Sequence, residues 1–213
     1  MLRLEDAENK EQVLQDFFVW LFDDNRIVDK SIALYGEVDF SLCSSYSDPN
    51  IYYPAQIKRF FDTKAMNRLG RISQLDLAIN NHPNLYHSRL EHSKGAYYNK
   101  IEEFFYNFQD SSWRKYIEDN NLKLYLIAEL IKMAGHDIGH LPLSHALEEQ
   151  IIGKRGAHEE IGKRIMLENS EIQEALSCIS PCLNSILAEL YNNNMFNFSQ
   201  HDESNYDIDR LDS

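Results

Sequence analysis

Three cysteines, Cys43, Cys178 and Cys182, are an odd and sparse set among 213 residues, which argues against a disulfide framework. Eight glycines and five prolines are too few for a turn-rich all-β chain or a disordered one. Positive charge is also short: 21 Lys+Arg stand against 34 Asp+Glu, a net charge of −13. A chain without a basic surface is a poor nonspecific binder of nucleic acid. An anionic small molecule is not excluded, because local field and a bound metal outweigh global charge inside a pocket. No apolar run approaches the ~18 residues of a membrane span. The first residues, Met-Leu-Arg-Leu-Glu-Asp-Ala-Glu, are acidic and lack the apolar core of a signal peptide. The expectation is a soluble cytoplasmic protein that neither spans a membrane nor binds nucleic acid.

What the chain does contain suits one helical domain with a sizeable core. Hydrophobic residues make up 43%, an ordinary globular share. Val13, Phe17, Trp20 and Leu21 recur at helical spacing and predict an amphipathic helix over 8–23. Residues 26–54 read as helix or strand, with a turn at Tyr-Ser-Asp-Pro-Asn. A helical pattern runs from about Ala55 towards Ile72, and Leu69, Ile72, Leu75 and Ile79 extend an apolar stripe. Asn80–Asn84 reads as a loop, and His92 falls early in a helix through Tyr98 and Phe105. One short helix is expected within 109–121, then a buried apolar helix over Leu122–Ala134. Further helices are predicted at Ala146–Ile152, Ala157–Leu167 and Glu171–Tyr191, the last placing Cys178 and Cys182 on one face. The Asn/Ser-rich stretch 192–205 reads as a mobile connection, and Tyr206–Ser213 as the start of a final helix. The fold class is therefore all-α, with at most a short N-terminal β-hairpin. Sites in helical bundles are built from side chains projecting inward from several helices.

Three separated segments carry chemistry: His-Ser-Arg-Leu-Glu-His at 87–92, Gly-His-Asp-Ile-Gly-His at 135–140 and Asp-Ile-Asp-Arg-Leu-Asp at 207–212. They supply His92, His136, Asp137 and Asp209, two imidazoles and two carboxylates that can hold one divalent metal. The donor set accepts Fe, Mn, Ni, Zn or Mg. Such an ion acidifies a bound water and screens phosphate charge. His140 falls one turn beyond His136, His145 follows, and His158-Glu159 open another helix.

These strings resemble the HD-domain metal-dependent phosphohydrolases. Asn-Arg-Leu-Gly-Arg-Ile-Ser-Gln-Leu-Asp-Leu-Ala (67–78), His-Ser-Arg-Leu-Glu-His-Ser-Lys-Gly (87–95), Gly-His-Asp-Ile-Gly-His-Leu-Pro-Leu-Ser-His (135–145) and Ala-His-Glu-Glu (157–160) narrow the likeness. They are similar to the deoxynucleoside triphosphate triphosphohydrolases, the dGTPase-like subgroup. The resemblance covers about residues 50–213. It implies an HD domain over 51–213 that lacks the family's further C-terminal helical region, and residues 1–50, which carry none of the motifs, read as a helical or irregular extension. It also implies cleavage of a dNTP to deoxynucleoside and triphosphate.

Within that resemblance His92, His136, Asp137 and Asp209 bind the metal, with iron, manganese or magnesium favoured. His140, His158 and Glu159 line the reacting phosphate and handle protons, and Glu148 pairs with the catalytic histidine. Arg89, His145 and Arg210 hold phosphate oxygens, which a guanidinium fork suits. Gln74 meets the sugar 3′-hydroxyl and Leu75 crowds the 2′ position, with Asp76 replacing a small residue beside them. Family members commonly form dimers, tetramers or hexamers, so an assembly of copies is an open expectation.

Competing readings keep the metal and change the substrate. One is an HD phosphohydrolase for a nucleoside monophosphate or an alarmone, which would not need Gln74 and Arg89. Another is a nucleotide-sensing domain without turnover. A cyclic-dinucleotide phosphodiesterase of the Gly-Tyr-Pro subgroup is disfavoured because that string is missing. A di-iron oxygenase is disfavoured because the flanking arginines suit phosphate better than an organic diol.

Overall fold

The computed structural model describes residues 9–30, 34–39, 50–75, 87–143, 153 and 156–192. These residues are predominantly helical, as the sequence pattern predicts. Helix α1 (Lys10–Phe22) starts at Asn9, whose side chain accepts the Gln12 N–H at 3.3 Å. It buries Leu14, Phe17, Phe18, Leu21 and Phe22 along one stripe. The ambiguous stretch that follows contains strands β1 (Leu34–Asp39) and β2 (Asn50–Pro54). They form an antiparallel ribbon pairing Val38 with Ile51 and Glu37 with Tyr52. Ile51 and Tyr53 alternate into the core, the two-residue period of a strand.

The continuous helix expected from Ala55 towards Ile72 is two helices, α2 (Ala55–Phe61) and α3 (Lys64–Leu69). Thr63 divides them. Its hydroxyl donates to the Phe60 carbonyl at 2.8 Å and accepts from the Met66 N–H at 3.4 Å, ending one helix and capping the next. After α3 the chain runs antiparallel to the entry of α4 (Arg89–Phe108). Ser73 bridges Ser88, Gln74 N–H donates to the His87 carbonyl at 3.0 Å, and Arg89 N–H to the Ile72 carbonyl at 2.9 Å. A full capping box fixes the start of α4: Ser88 Oγ accepts the Glu91 N–H at 3.2 Å, and Glu91 Oε2 accepts the Ser88 N–H at 2.6 Å.

Helices α5 (Ser111–Asp119) and α6 (Lys123–Ala134) follow. Helix α6 buries Leu124, Leu126, Ile127, Ala128, Leu130, Ile131 and Ala134, too many for one stripe. It packs against α1, α4 and the last described helix, α9 (Leu183–Asn192). Helices α7 (Ala157–Glu168) and α8 (Ser170–Ser177) pack on each other and on α9, and α8 also packs on α2. The single helix expected over Glu171–Tyr191 is thus broken into α8 and α9. Pro181 explains the break, since it lacks an N–H and biases Ser180 towards extended backbone. Ser180 Oγ then donates to the Arg26 carbonyl at 2.7 Å and accepts from the Cys182 N–H at 3.3 Å. Cys178 and Cys182 consequently do not share a helix face: Cys178 ends α8 and Cys182 lies in the turn before α9. The expected loop at Asn80–Asn84, helix at Ala146–Ile152 and final helix from Tyr206 lie outside the described residues, as does 193–205. Among the described residues no helix is long and apolar enough to cross a membrane.

A polar staple locks the exits of three elements together. Asp24 Oδ1 accepts the Arg26 N–H at 2.8 Å and Nε at 3.0 Å, while Arg26 Nη2 donates to Asp24 Oδ2 and to the Asn121 carbonyl, both at 2.7 Å. Val28 N–H donates to the Ile179 carbonyl at 3.0 Å. Burial alone would raise the Asp24 pKa, but the hydrogen bonds and charge of Arg26 outweigh it and lower the value. A carboxyl with a lowered folded pKa contributes stability above its ordinary value, and that contribution disappears as pH falls through the folded one. Asp24→Asn is expected to cost about 1.5 kcal/mol at neutral pH, the range of a hydrogen bond to a charged group. Urea denaturation of both proteins would show the gap at pH 7 and its closing well below pH 4.

Candidate metal centre

Helix α6 stops at Ala134, and residues 135–140 continue as a tighter turn. Its hydrogen bonds are of the i→i+3 kind: His136 N–H to Met133 O at 3.3 Å, Ile138 N–H to Gly135 O at 3.1 Å and His140 N–H to Asp137 O at 3.0 Å. Residues three apart eclipse in such a turn. His140 therefore lies over Asp137, with Nε2 at 3.2 Å from Oδ1, rather than continuing the α-helical face of His136.

Helix α4 supplies the opposite wall. Arg89 and His92 are three residues apart on its first turns and are 3% and 1% exposed. His92 Nε2 stands 3.2 Å from His136 Nε2 and 3.9 Å from Asp137 Oδ2; His136 Nε2 stands 3.5 Å from Asp137 Oδ1. Two donors each ~2.1 Å from one ion are separated by roughly 3–3.5 Å at octahedral or tetrahedral angles. The His92–His136 and His136–Asp137 separations match that spacing and the His92–Asp137 separation is slightly longer, so the residues present fit a divalent metal. His136 Nδ1 lies 2.8 Å from the Met133 carbonyl. A proton on Nδ1 donated to that oxygen leaves the Nε2 lone pair towards His92 and Asp137, the arrangement by which outer hydrogen bonds orient metal-binding imidazoles. The expected fourth ligand, Asp209, lies outside the described residues.

Asp137 is the electrostatic hub. Arg89 Nη1 donates to its Oδ2 at 2.6 Å. Burial would raise the carboxyl pKa, but the His140 hydrogen bond and the charges of His136, His140 and Arg89 together hold it well below the usual range. His140 shifts downward, because burial outweighs the pull of Asp137, with Arg89 and His158 pushing the same way as burial.

No family model matches the chain. A putative HD domain-containing protein of Acanthamoeba polyphaga mimivirus is 34% identical over 139 residues, 59% of this chain and 29% of that protein. The protein YwfO of Bacillus subtilis is 31% identical over 130 residues, 60% of this chain and 27% of its own length. Among solved structures, a phosphohydrolase of Bacteroides thetaiotaomicron aligns with a TM-score of 0.57 at 23% identity, covering 85% of this chain and 40% of that one. A hypothetical protein of Aquifex aeolicus gives 0.55 at 24% identity, covering 85% and 44%. The likeness is to the HD domain. One of these curated relatives is named for its HD domain, and the two solved structures show the same fold. The chain spans less than a third of the length of these curated relatives.

The remaining positions expected of an HD-domain site distribute unevenly. His158, in the first turn of α7, stacks on His140 with ring centroids 3.9 Å apart and planes 16° from parallel. Glu159 beside it is exposed. Gln74 is half-buried next to the α4 entry, and its Oε1 is shielded from solvent without a hydrogen-bond partner among the described residues. Leu75 is half-buried at the end of the same stretch. Arg89, expected at phosphate oxygens, is instead bonded to Asp137 in this structure. His145, Glu148 and Arg210 lie outside the described residues.

Two features escaped the sequence reading. Arg68, in the last turn of α3, donates through Nη1 to the His140 carbonyl and through Nη2 to the Ile138 carbonyl, each at 2.6 Å. Gly139 presses its backbone against Gly162 of α7, whose hypothetical Cβ would stand 3.4 Å from Gly139 N. Arg68 lies inside the 67–78 string, but main-chain partners leave no trace in side-chain type, so its role was not signalled. A glycine on either side of a helix crossing was the available signal for the second.

Proposed function

We propose that this chain is a divalent-metal-dependent phosphohydrolase domain acting on deoxynucleoside triphosphates, releasing deoxynucleoside and triphosphate. The observation that carries this reading is the convergence of His92, His136 and Asp137 from two separate segments, flanked by Arg89 and the His140–His158 stack. The Bacteroides neighbour is a phosphohydrolase, which agrees with the reaction class. The metal, held by His92, His136, Asp137 and Asp209, would polarise a phosphate and lower the pKa of water.

The chain's own residues then divide the remaining work. The Arg89 fork, with His145 and Arg210, neutralises phosphate oxygens. His140, His158 and Glu159 line the reacting phosphate, and an imidazole held by a carboxylate such as Glu148 can protonate the leaving 5′-oxygen. Gln74 offers an amide to the sugar 3′-hydroxyl, and its Oε1, without a partner among the described residues, is suited to accept that hydrogen bond. Leu75 crowds the 2′ position against ribonucleotides.

One observation favours a second reading. Arg89 already bonds Asp137, so a substrate that does not need this arginine, a nucleoside monophosphate or an alarmone, suits the site as it stands. Products separate the two. Incubation with each of the four dNTPs and Mn²⁺ is expected to yield deoxynucleoside and triphosphate on ion-exchange chromatography, lost in His136→Ala/Asp137→Ala. Release of phosphate from a nucleoside monophosphate, or of pyrophosphate from an alarmone, with the dNTPs untouched would support the second reading, and no turnover by the unaltered protein on any of these nucleotides would overturn both.

A further inference from the structure

We infer that Arg68 is a positioning residue for the metal centre, acting on the backbone of the 135–140 turn rather than on any ligand side chain. The inference rests on the metal-centre reading above. The last carbonyls of a helix and of the turn that follows it have no intrahelical donor. Here two of them, on Ile138 and His140, accept from the two terminal nitrogens of one guanidinium, both at 2.6 Å. Those carbonyls bracket Gly139, the residue whose other side is pressed against Gly162 of α7. The turn is thus gripped from both sides at residues 138–140, directly after Asp137 and at His140 itself.

The grip has the marks of a charged group placed for its geometry. Arg68 is half-buried, burial lowers its pKa, and among the described residues no carboxylate pairs with it. An arginine engaged only with carbonyls gains two charge-assisted hydrogen bonds in one plane, which fixes the orientation of both peptide groups. An ammonium could satisfy one carbonyl but could not set the angle between two. Ligand atoms must be held to within about half an ångström for a site to work, and outer-shell losses commonly weaken metal binding ~10–100-fold.

The test is calorimetric titration of Mn²⁺ into the full chain, into Arg68→Met and Arg68→Lys, and into Arg71→Met, which removes a nearby exposed arginine as a charge control. Arg68→Met should bind Mn²⁺ about tenfold more weakly, with Arg68→Lys intermediate and Arg71→Met within about twofold of the unaltered protein. A purely structural role would lower the metal-free Tm but leave the affinity of the folded protein intact. Mn²⁺ affinity within twofold of the unaltered protein in a cooperatively melting Arg68→Met overturns the inference. Should that variant fail to fold, unchanged affinity in Arg68→Lys does the same. An unaltered chain that takes up no Mn²⁺ overturns the metal-centre reading itself, a result distinct from either.

Discussion

Gly139→Ala is expected to be among the most damaging single-methyl additions available in this chain. A Cβ at residue 139 would fall on the His158 carbonyl oxygen and the Gly162 nitrogen, far inside van der Waals contact, and 2.9 Å from Gly162 Cα. All three are backbone atoms of one rigid helix, so no side chain can swing aside. Helix α7 would have to move off the turn, and the His140–His158 stack would move with it. Overpacking of this kind costs about 3 kcal/mol. For a chain of this length that lowers Tm by roughly 6–12 °C. Turnover should fall as well, because the turn that carries Asp137 is the element displaced. Gly70→Ala is the comparison: its nearest neighbours, the Asn67 carbonyl oxygen and Leu90 Cδ2, are both at ordinary contact, 3.4 Å. That substitution should stay within about 0.5–1 kcal/mol. Equal destabilisation of the two variants in urea would refute the close-approach account.

The same crossing explains what was and was not legible in the sequence. Helices with a strong apolar period announced themselves: α1, α4 and α6 begin and end within a few residues of expectation. Breaks decided by a single hydroxyl or ring did not. Thr63 splits one expected helix by bonding backward and forward at once, and Pro181 with Ser180 splits another. Local hydrogen bonding of this sort competes with helix continuation without disturbing hydrophobic periodicity. The pattern therefore reads through the break.

At the site, residue types were legible and their partners were not. His92, His136 and Asp137 could be chosen from spacing and resemblance, because few other reasons bring imidazole and carboxylate into such strings. The short turn after Ala134 could not be foreseen. It transfers His140 from the company of His136 to that of Asp137, and the same carboxylate accepts from Arg89, the residue expected at phosphate oxygens. One carboxylate therefore answers to an arginine and several histidines, and its removal should have consequences beyond the loss of one ligand.

Asp137→Asn tests that directly. The substitution keeps the shape of the side chain and removes its charge from beside the buried Arg89, which is 3% exposed. Breaking one partner out of a buried pair costs about 3–5 kcal/mol, more than the intact pair contributes. Metal-free Asp137→Asn is expected to be destabilised by about 3 kcal/mol in urea at pH 7. Because the folded carboxyl titrates well below its ordinary value near 3.8, its stabilisation is fully present above that value and is lost only as pH falls through the folded pKa. The gap between the two proteins should hold from pH 5 to 8 and narrow only in strong acid. Mn²⁺ should raise the Tm of the unaltered protein and leave that of Asp137→Asn unchanged, since a ligand stabilises only the state that binds it. The double variant Arg89→Met/Asp137→Asn distinguishes charge from geometry. Removing the buried guanidinium should return part of the lost stability without returning the Mn²⁺ response. A double variant no more stable than Asp137→Asn alone would mean that the carboxylate acts through its contacts with His136 and His140, and that the ion pair with Arg89 is incidental.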